Sequence, residues 1–162
     1  MPAWTFDDAM VGSTIQHERA RTIGADEHVW LAWVTNNASD LHGNADAAAR
    51  MEFGRPVVLG ALVAAIVIGL AEPAEWPAEE VAKYWPKGWR TIRLSKAVLP
   101  GDTVRAESRI LAATPLASGE GGLVRRLIVG RTQAGTEVAR VEEERAVPAR
   151  ARVTGSGGTK DC

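Results

Sequence analysis

Cysteine is almost absent: the one residue of that type, Cys162, stands last in the sequence, so no intramolecular disulfide, cysteine metal cluster or thiol nucleophile is expected. An excess of one charge is lacking too. The 19 Lys and Arg face 20 Asp and Glu, a formal net charge of -1 with the three His neutral, and nothing draws the chain toward nucleic acid or an anionic membrane. The opening MPAWTFDDAM places Asp7 and Asp8 where a secretion signal needs positive charge and then an apolar core. The longest apolar run, Val57 to Ala71, falls short of the roughly 20 residues that span a bilayer. A cytoplasmic compartment, with neither membrane nor nucleic acid as partner, is the expectation. Three scattered His have no metal-ligand spacing, and Gly119, Gly121 and Gly122 lead into no helix, so no metal, nucleotide loop or bound cofactor is expected.

What is present suits one domain: 162 residues form a single core that removes about two-thirds of the unfolded surface from water. No internal repeat occurs. The tail 149–162, with its Thr-Gly-Ser-Gly-Gly run, lacks the apolar residues to order itself, which leaves 1–148 as the folded unit. Thr14 to Ile23 reads as a first strand with His17, Arg19 and Arg21 on one face. Asp26 is placed as the cap of a helix ending near Thr35, with Trp30, Trp33 and Val34 at helical spacing. A polar loop follows over 36–44, and Asp46 caps a brief alanine-rich helix reaching about Met51.

Pro56 occupies a first helical position, and because Val57 to Leu70 is wholly apolar or glycine, this helix must be covered on nearly all sides. A segment rich in Pro, Glu and Trp comes next, with a short helix over about 78–84 that Pro86 and Gly88 break. Then the period changes to two. Ile92, Leu94 and Val98 form one strand and Val104 to Ile110 the next, with Pro100-Gly101-Asp102 turning between them; a third runs from about Leu123 to Thr132 and a fourth follows Gly135. A short strand, helices, one apolar helix and consecutive antiparallel strands make an α+β domain, a sheet wrapped around a central helix in the shape called a hot dog.

Three blocks stand in order: Thr35-Asn36-Asn37-Ala38-Ser39-Asp40-Leu41-His42; Phe53-Gly54-Arg55-Pro56-Val57-Val58-Leu59-Gly60-Ala61-Leu62; and Pro100-Gly101-Asp102-Thr103-Val104 with Ala106-Glu107-Ser108. They resemble the MaoC-like hydratase and dehydratase family, including (R)-specific enoyl-CoA hydratases. That signature is an acidic or amide residue, Asn-Pro-Leu-His, then Phe-Gly-x-Pro-Ile-Val-His-Gly, and the resemblance extends from about Gly12 to Val147. It implies a hot-dog homodimer that adds water to, or removes it from, the conjugated double bond of an acyl thioester. Coenzyme A or a carrier protein would be the substrate's handle, not a bound cofactor. Such chemistry needs a base for water, an acid for the α-carbon, and donors for a thioester oxygen that gathers charge as an enolate.

By that resemblance His42 is the catalytic acid and base, suited by its near-neutral intrinsic pKa. Asn37 stands five positions earlier, where many of these hydratases carry an aspartate; its amide orients water or substrate but takes no proton. The base is then Asp40, which replaces the signature's proline and reads equally as a turn residue, or His42 alone. Gly60 matches the signature's glycine, and its N–H in the first turn of the apolar helix faces the developing oxyanion, while its missing side chain lets helix and sheet approach. Ser39 and Leu59 replace an asparagine and a histidine.

A thioesterase of the same fold is the first alternative. No acidic residue occurs from Phe53 to Ala71 to serve it, and Glu52 and Glu72 are expected to face solvent. A thioester-binding or partner subunit without catalysis is the second. Trp76, Tyr84, Trp85 and Trp89 either roof an acyl tunnel or pack a core or subunit interface. Arg125 and Arg126 read as a solvated strand face, with coenzyme phosphates as the other use for one of them, and Glu142-Glu143-Glu144-Arg145 as a solvated or edge strand.

Overall fold

In a computed structural model, residues 4–37, 39–72 and 86–150 are described. A single 3-10 turn at Phe6–Asp8 precedes strand β1 (Thr14–Thr22), helices α1 (Ala25–Val34), α2 (Asp40–Gly43), α3 (Ala45–Ala49) and α4 (Gly60–Leu70), and strands β2 (Pro86–Leu94), β3 (Thr103–Pro115), β4 (Gly121–Thr132) and β5 (Glu137–Pro148). The strands form one sheet in the order β1-β3-β4-β5-β2, and every neighbouring pair is antiparallel. The sheet curls around α4.

Alternation sends Val104 and Ala106 of β3, Ile128 of β4 and Ala139 and Val141 of β5 inward, against Val63, Ile66, Val67 and Leu70 of α4. Each such Val, Ile or Leu side chain removed from water contributes about 1.5–3 kcal/mol. Gly130, opposite both Ala106 and Ala139, lets the helix approach: a Cβ there would lie 2.3 Å from Val67 Cγ2. A smaller cluster of Ile110, Val124 and Val147 packs against Trp4, Phe6, Ala9, Ile15 and Ala113.

Several local expectations are corrected. The central helix begins at Gly60, not at Pro56, because the Val57 and Val58 N–H groups donate to Leu41 O (3.1 Å) and Val98 O (2.8 Å) and hold the chain extended. Nor is it covered all round by the described residues: Ala61, Ala65 and Gly69 are exposed on its outer side. The strand expected over 92–98 is β2, which starts at Pro86 and ends at Leu94. As the edge strand of the sheet it tolerates a residue without N–H, and its register shift between Pro86 and Gly88 accommodates the glycine. Val98 then reaches the core from a loop.

Helix caps shift as well. Gly24 caps α1, with Glu27 Oε1 accepting its N–H at 2.8 Å, and Asn44 caps α3 by accepting from the Ala47 N–H at 3.0 Å. Trp30 and Trp33 stand on the exposed face of α1, opposite buried His28 and Ala32. Ala149 N–H donates to Glu120 O, and Arg150 binds Asp7 and Asp8. The helix expected over 78–84, with Trp76, Tyr84 and Trp85, and residues 151–162 of the tail lie outside the described residues.

The largest correction concerns charge. Arg126 and Glu143 are 0 % exposed and Arg145 is 1 %, on the inner face of β4 and β5, where solvated strands were expected. β5 is no edge either, because it lies between β4 and β2. Glu143 Oε2 accepts from Arg126 Nε and Arg145 Nε, each at 2.8 Å. Glu72, expected in solvent, accepts from Arg126 Nη2 at 3.1 Å and from Arg145 Nη1 and Nη2 at 3.0 and 2.6 Å. Arg126 Nη1 also donates to Ala71 O, and Arg19 Nη2 to Gly69 O and Glu72 O, so guanidinium groups satisfy carbonyls at the end of α4.

Burial alone would raise the Glu143 carboxyl, but Arg126 and Arg145 outweigh it and hold its pKa below the usual value. Nearby, His17 Nε2 lies 2.8 Å from Ser108 Oγ. Burial, then the charges of Arg126 and Arg19, bring its pKa from 6.5 down to about 4. His17 is therefore a neutral partner of Ser108 at neutral pH.

Candidate active site

His42 is set in place by reciprocal bonds across fifteen residues of chain. It lies in the single turn of α2, where its N–H donates to Ser39 O at 3.0 Å, while Leu41 O accepts from Val57 N–H. Its ring answers from the other side: Nδ1 lies 2.7 Å from Val57 O. A carbonyl only accepts, so the neutral ring carries its proton on Nδ1 and leaves the Nε2 lone pair free to take one. Val58 N–H is bound to Val98 O, and Arg55 Nη2 donates to Pro100 O at 3.1 Å, which ties this segment to the loop after β2.

Between these segments is a recess of about 300 Å³ lined by His42, Val57, Val58, Gly60, Val63 and Leu94 to Val98. Its wall is mainly apolar, and none of these residues is acidic. Gly60 is the first residue of α4, and the capping position is held by Leu59, whose side chain accepts nothing. Among the described residues no acceptor meets the Gly60 N–H, so the positive end of the helix is left unsatisfied at a residue that lines the recess. Leu94 lies over it: a Cβ on Gly60 would meet Leu94 Cδ1 at 2.4 Å. The close approach expected of this glycine is thus present, and its N–H has no acceptor among the described residues.

Asn37 and Asp40 are not among the lining residues. Asn36 adopts a left-handed φ of 54° at the end of α1. Its N–H donates to Trp33 O at 3.0 Å and that of Asn37 to Ala32 O at 2.8 Å, the pairing that closes a helix through a left-handed residue. Asn37 is half-buried, and its amide has no side-chain partner among the described residues. Asp40 is exposed and accepts from Asn44 Nδ2 at 3.4 Å, next to the cap of α3.

Two residues near the site had no sequence signal. His28, 1 % exposed, has a buried Nδ1 without a hydrogen-bond partner among the described residues. Burial, then the neighbouring His42, lower its pKa, against a raising effect of Glu27. Lys96, which lines the recess, has no ion pair or side-chain hydrogen bond among the described residues. No group of three or more His, Cys, Asp or Glu suited to a metal occurs among them, and no helix is long and apolar enough to cross a membrane.

The architecture is shared with solved structures at low sequence identity. A MaoC-like dehydratase from Rhodospirillum rubrum is 21 % identical, with a TM-score of 0.77 over 93 % of this chain and 100 % of that one. An R-hydratase from Pseudomonas aeruginosa is 21 % identical, with a TM-score of 0.68 over 90 % of this chain and 86 % of that one. A Mycobacterium tuberculosis protein with a double hot-dog fold matches 90 % of this chain with 44 % of its own, at 18 % identity and a TM-score of 0.73. The fold is the hot dog. No curated protein matches the sequence significantly. The model of the MaoC like domain matches residues 7–120, a span that holds β1, the His42 turn, the Gly60 helix start and β3, and by that match the chain belongs to the MaoC-like domain family.

Proposed function

We propose that this protein is a hydro-lyase that adds water to, or removes it from, the double bond of a 2-enoyl thioester on coenzyme A or a carrier protein. The observation that carries this reading is the meeting of His42 and the unsatisfied Gly60 N–H in one apolar recess. The thioester oxygen accepts from Gly60 N–H, which draws electron density toward it and leaves the β-carbon electrophilic. His42 Nε2 takes a proton from water as the hydroxyl oxygen bonds to the β-carbon and the π electrons move toward the thioester oxygen. The imidazolium then gives its proton to the α-carbon, and His42 returns to its starting form. Water is thus added without any group being consumed.

His42 acts as both base and acid in this scheme. Asn37, outside the recess lining, takes no direct part in this scheme, and Asp40 shapes the turn through Asn44. The lack of an acidic lining residue among the described residues favours hydration over hydrolysis, since a hydrolytic site of this fold would use a carboxylate. A homodimer is part of the proposal: β2 is an edge strand with Trp89, Ile92 and Leu94 exposed, the kind of apolar edge that pairs.

The test follows the ultraviolet absorbance of conjugated 2-enoyl thioesters while a thiol reagent reports hydrolysis. Loss of conjugation without thiol release is expected, reduced about 10²–10⁴-fold in His42→Ala. Thiol release from saturated thioesters would assign a thioesterase, and binding without turnover would assign a non-catalytic subunit.

A further inference from the structure

Neither apolar cluster of the core contains a residue of α1, α2 or α3, although these helices carry His42. Their buried residues are His28, Ala32 and Ala48. Two of the three are alanines, so His28 is the one large side chain that the segment inserts into the domain. α1 thus faces in the opposite sense to an ordinary anchoring helix, with Trp30 and Trp33 64 % and 71 % exposed and the imidazole 1 % exposed.

An imidazole in that position is a conditional anchor. Its Nδ1 is buried and has no hydrogen-bond partner among the described residues, and a protonated ring would bury a charge that no carboxylate binds. The titratable groups acting on it are His42 of α2, whose charge opposes a second one, and Glu27 of α1. Glu27 is engaged elsewhere, accepting from Arg21 and from the Gly24 N–H. Asp40 of α2 and the Asp46–Arg50 pair of α3 are exposed. Burial and His42 outweigh Glu27, so the ring binds a proton less readily in place than in an opened segment.

We infer that His28 is an acid-sensitive anchor: on taking up one proton it leaves its buried position and releases α1 and α2, and with them His42, from the rest of the domain. Above the ordinary histidine value of 6.5 the ring is neutral in both states and the segment stays closed. Below it the opened segment takes a proton that the closed one refuses. The balance then shifts toward opening by as much as about tenfold per pH unit, until the lowered value of the buried ring is reached. Because both apolar clusters lie outside the segment, the sheet keeps its core. This goes beyond the hydro-lyase reading and holds whatever reaction His42 performs.

The test is amide hydrogen exchange on the full chain by mass spectrometry, corrected for the intrinsic pH dependence of exchange, between about pH 7 and about pH 5. Protection over residues 25–51 is expected to fall several-fold while that of β3, β4 and β5 holds. In His28→Leu and His28→Met, which fill the site without a titratable group, the fall disappears. His17→Gln and His42→Gln keep it, since His17 belongs to β1 and His42 is the smaller of the two causes that disfavour the proton. Should neither apolar variant fold, the wild type decides: the His28 ring signals in NMR must change protonation over the same interval in which protection is lost. A fall that persists without His28, one shared equally by the sheet, one abolished by His42→Gln, or no fall at all overturns the inference.

Discussion

Removing the negative charge of Glu143 while keeping its shape should unfold this domain more effectively than removing Glu143 together with one of its partners. Among the described residues the buried cluster balances two guanidinium groups, Arg126 and Arg145, against two carboxylates, Glu143 and Glu72. In Glu143→Gln the amide oxygen still accepts, but its NH₂ faces a guanidinium, and among the described residues two guanidinium groups then share the single carboxylate of Glu72. Breaking one partner of a buried ion pair costs about 3–5 kcal/mol, against a total stability of about 5–15 kcal/mol. At roughly 2–4 °C per kcal/mol for a domain of this size, the melting temperature falls by about 10 °C. The double variant Arg126→Met, Glu143→Met removes one charge of each sign and leaves the Arg145–Glu72 contacts of 3.0 and 2.6 Å. Its new defects are the Ala71 carbonyl that Arg126 satisfied and the Arg145 Nε from which Glu143 accepted, each worth about 1–3 kcal/mol. Urea unfolding followed by circular dichroism orders the three proteins: wild type, then the double variant, then Glu143→Gln. A single variant within 1 kcal/mol of wild type, or a double variant weaker than the single one, refutes the charge-balance argument.

The acid limb of stability should depend on His17 and Glu143 in separate windows. The lowered His17 pKa means that the unfolded chain binds the proton more readily, so this contribution is complete above 6.5 and lost as pH falls toward about 4; urea midpoints of His17→Gln should be flatter across that range. The Glu143 carboxyl is also held low, so its contribution is present above the unfolded value of 4.5 and lost as pH falls below it through the folded value; Glu143→Gln should lack that steeper acid limb in the same titration. Gly121 has a φ of 139°, and a Cβ there would lie 2.1 Å from Val147 O and 2.7 Å from Pro148 Cα. Gly121→Ala should therefore cost about 3 kcal/mol or more by denaturant titration, since backbone atoms cannot step aside as a side chain can.

The hot-dog order was legible because its strands and central helix differ in period: β3 and β4 alternate, while residues from Val57 to Leu70 carry no polar side chain at all. The start of that helix was not. Pro56 suits a first helical residue, but the bonds that hold Val57 and Val58 extended come from Leu41 and Val98, the second of them forty residues downstream, and no local rule contains them. Pro86 and Gly88 misled for a related reason, because a breaker on a central strand is an ordinary residue on an edge strand, and strand order is not written in local sequence.

The site shows the same division between local pattern and remote contact. His42 and Gly60 were found through motif blocks, and the fold brings those two to one recess. Asn37 and Asp40, chosen by the same blocks, are held outside its lining by the helix-ending bonds of Asn36 and by Asn44. Lys96 went unmarked because it arrives from the loop after β2, between Ser95 and Ala97, with no motif or period to single it out. The glutamate run over 142–144 misled most, since alternation assigns Glu143 to the inner face, yet a buried carboxylate is plausible only once its partners are known. Those partners are Arg126 on the neighbouring strand, Arg145 two residues on and Glu72 at the end of α4. Each carries a charge that would be costly to bury alone, and together they make the inner face of the sheet continuous where apolar alternation stops.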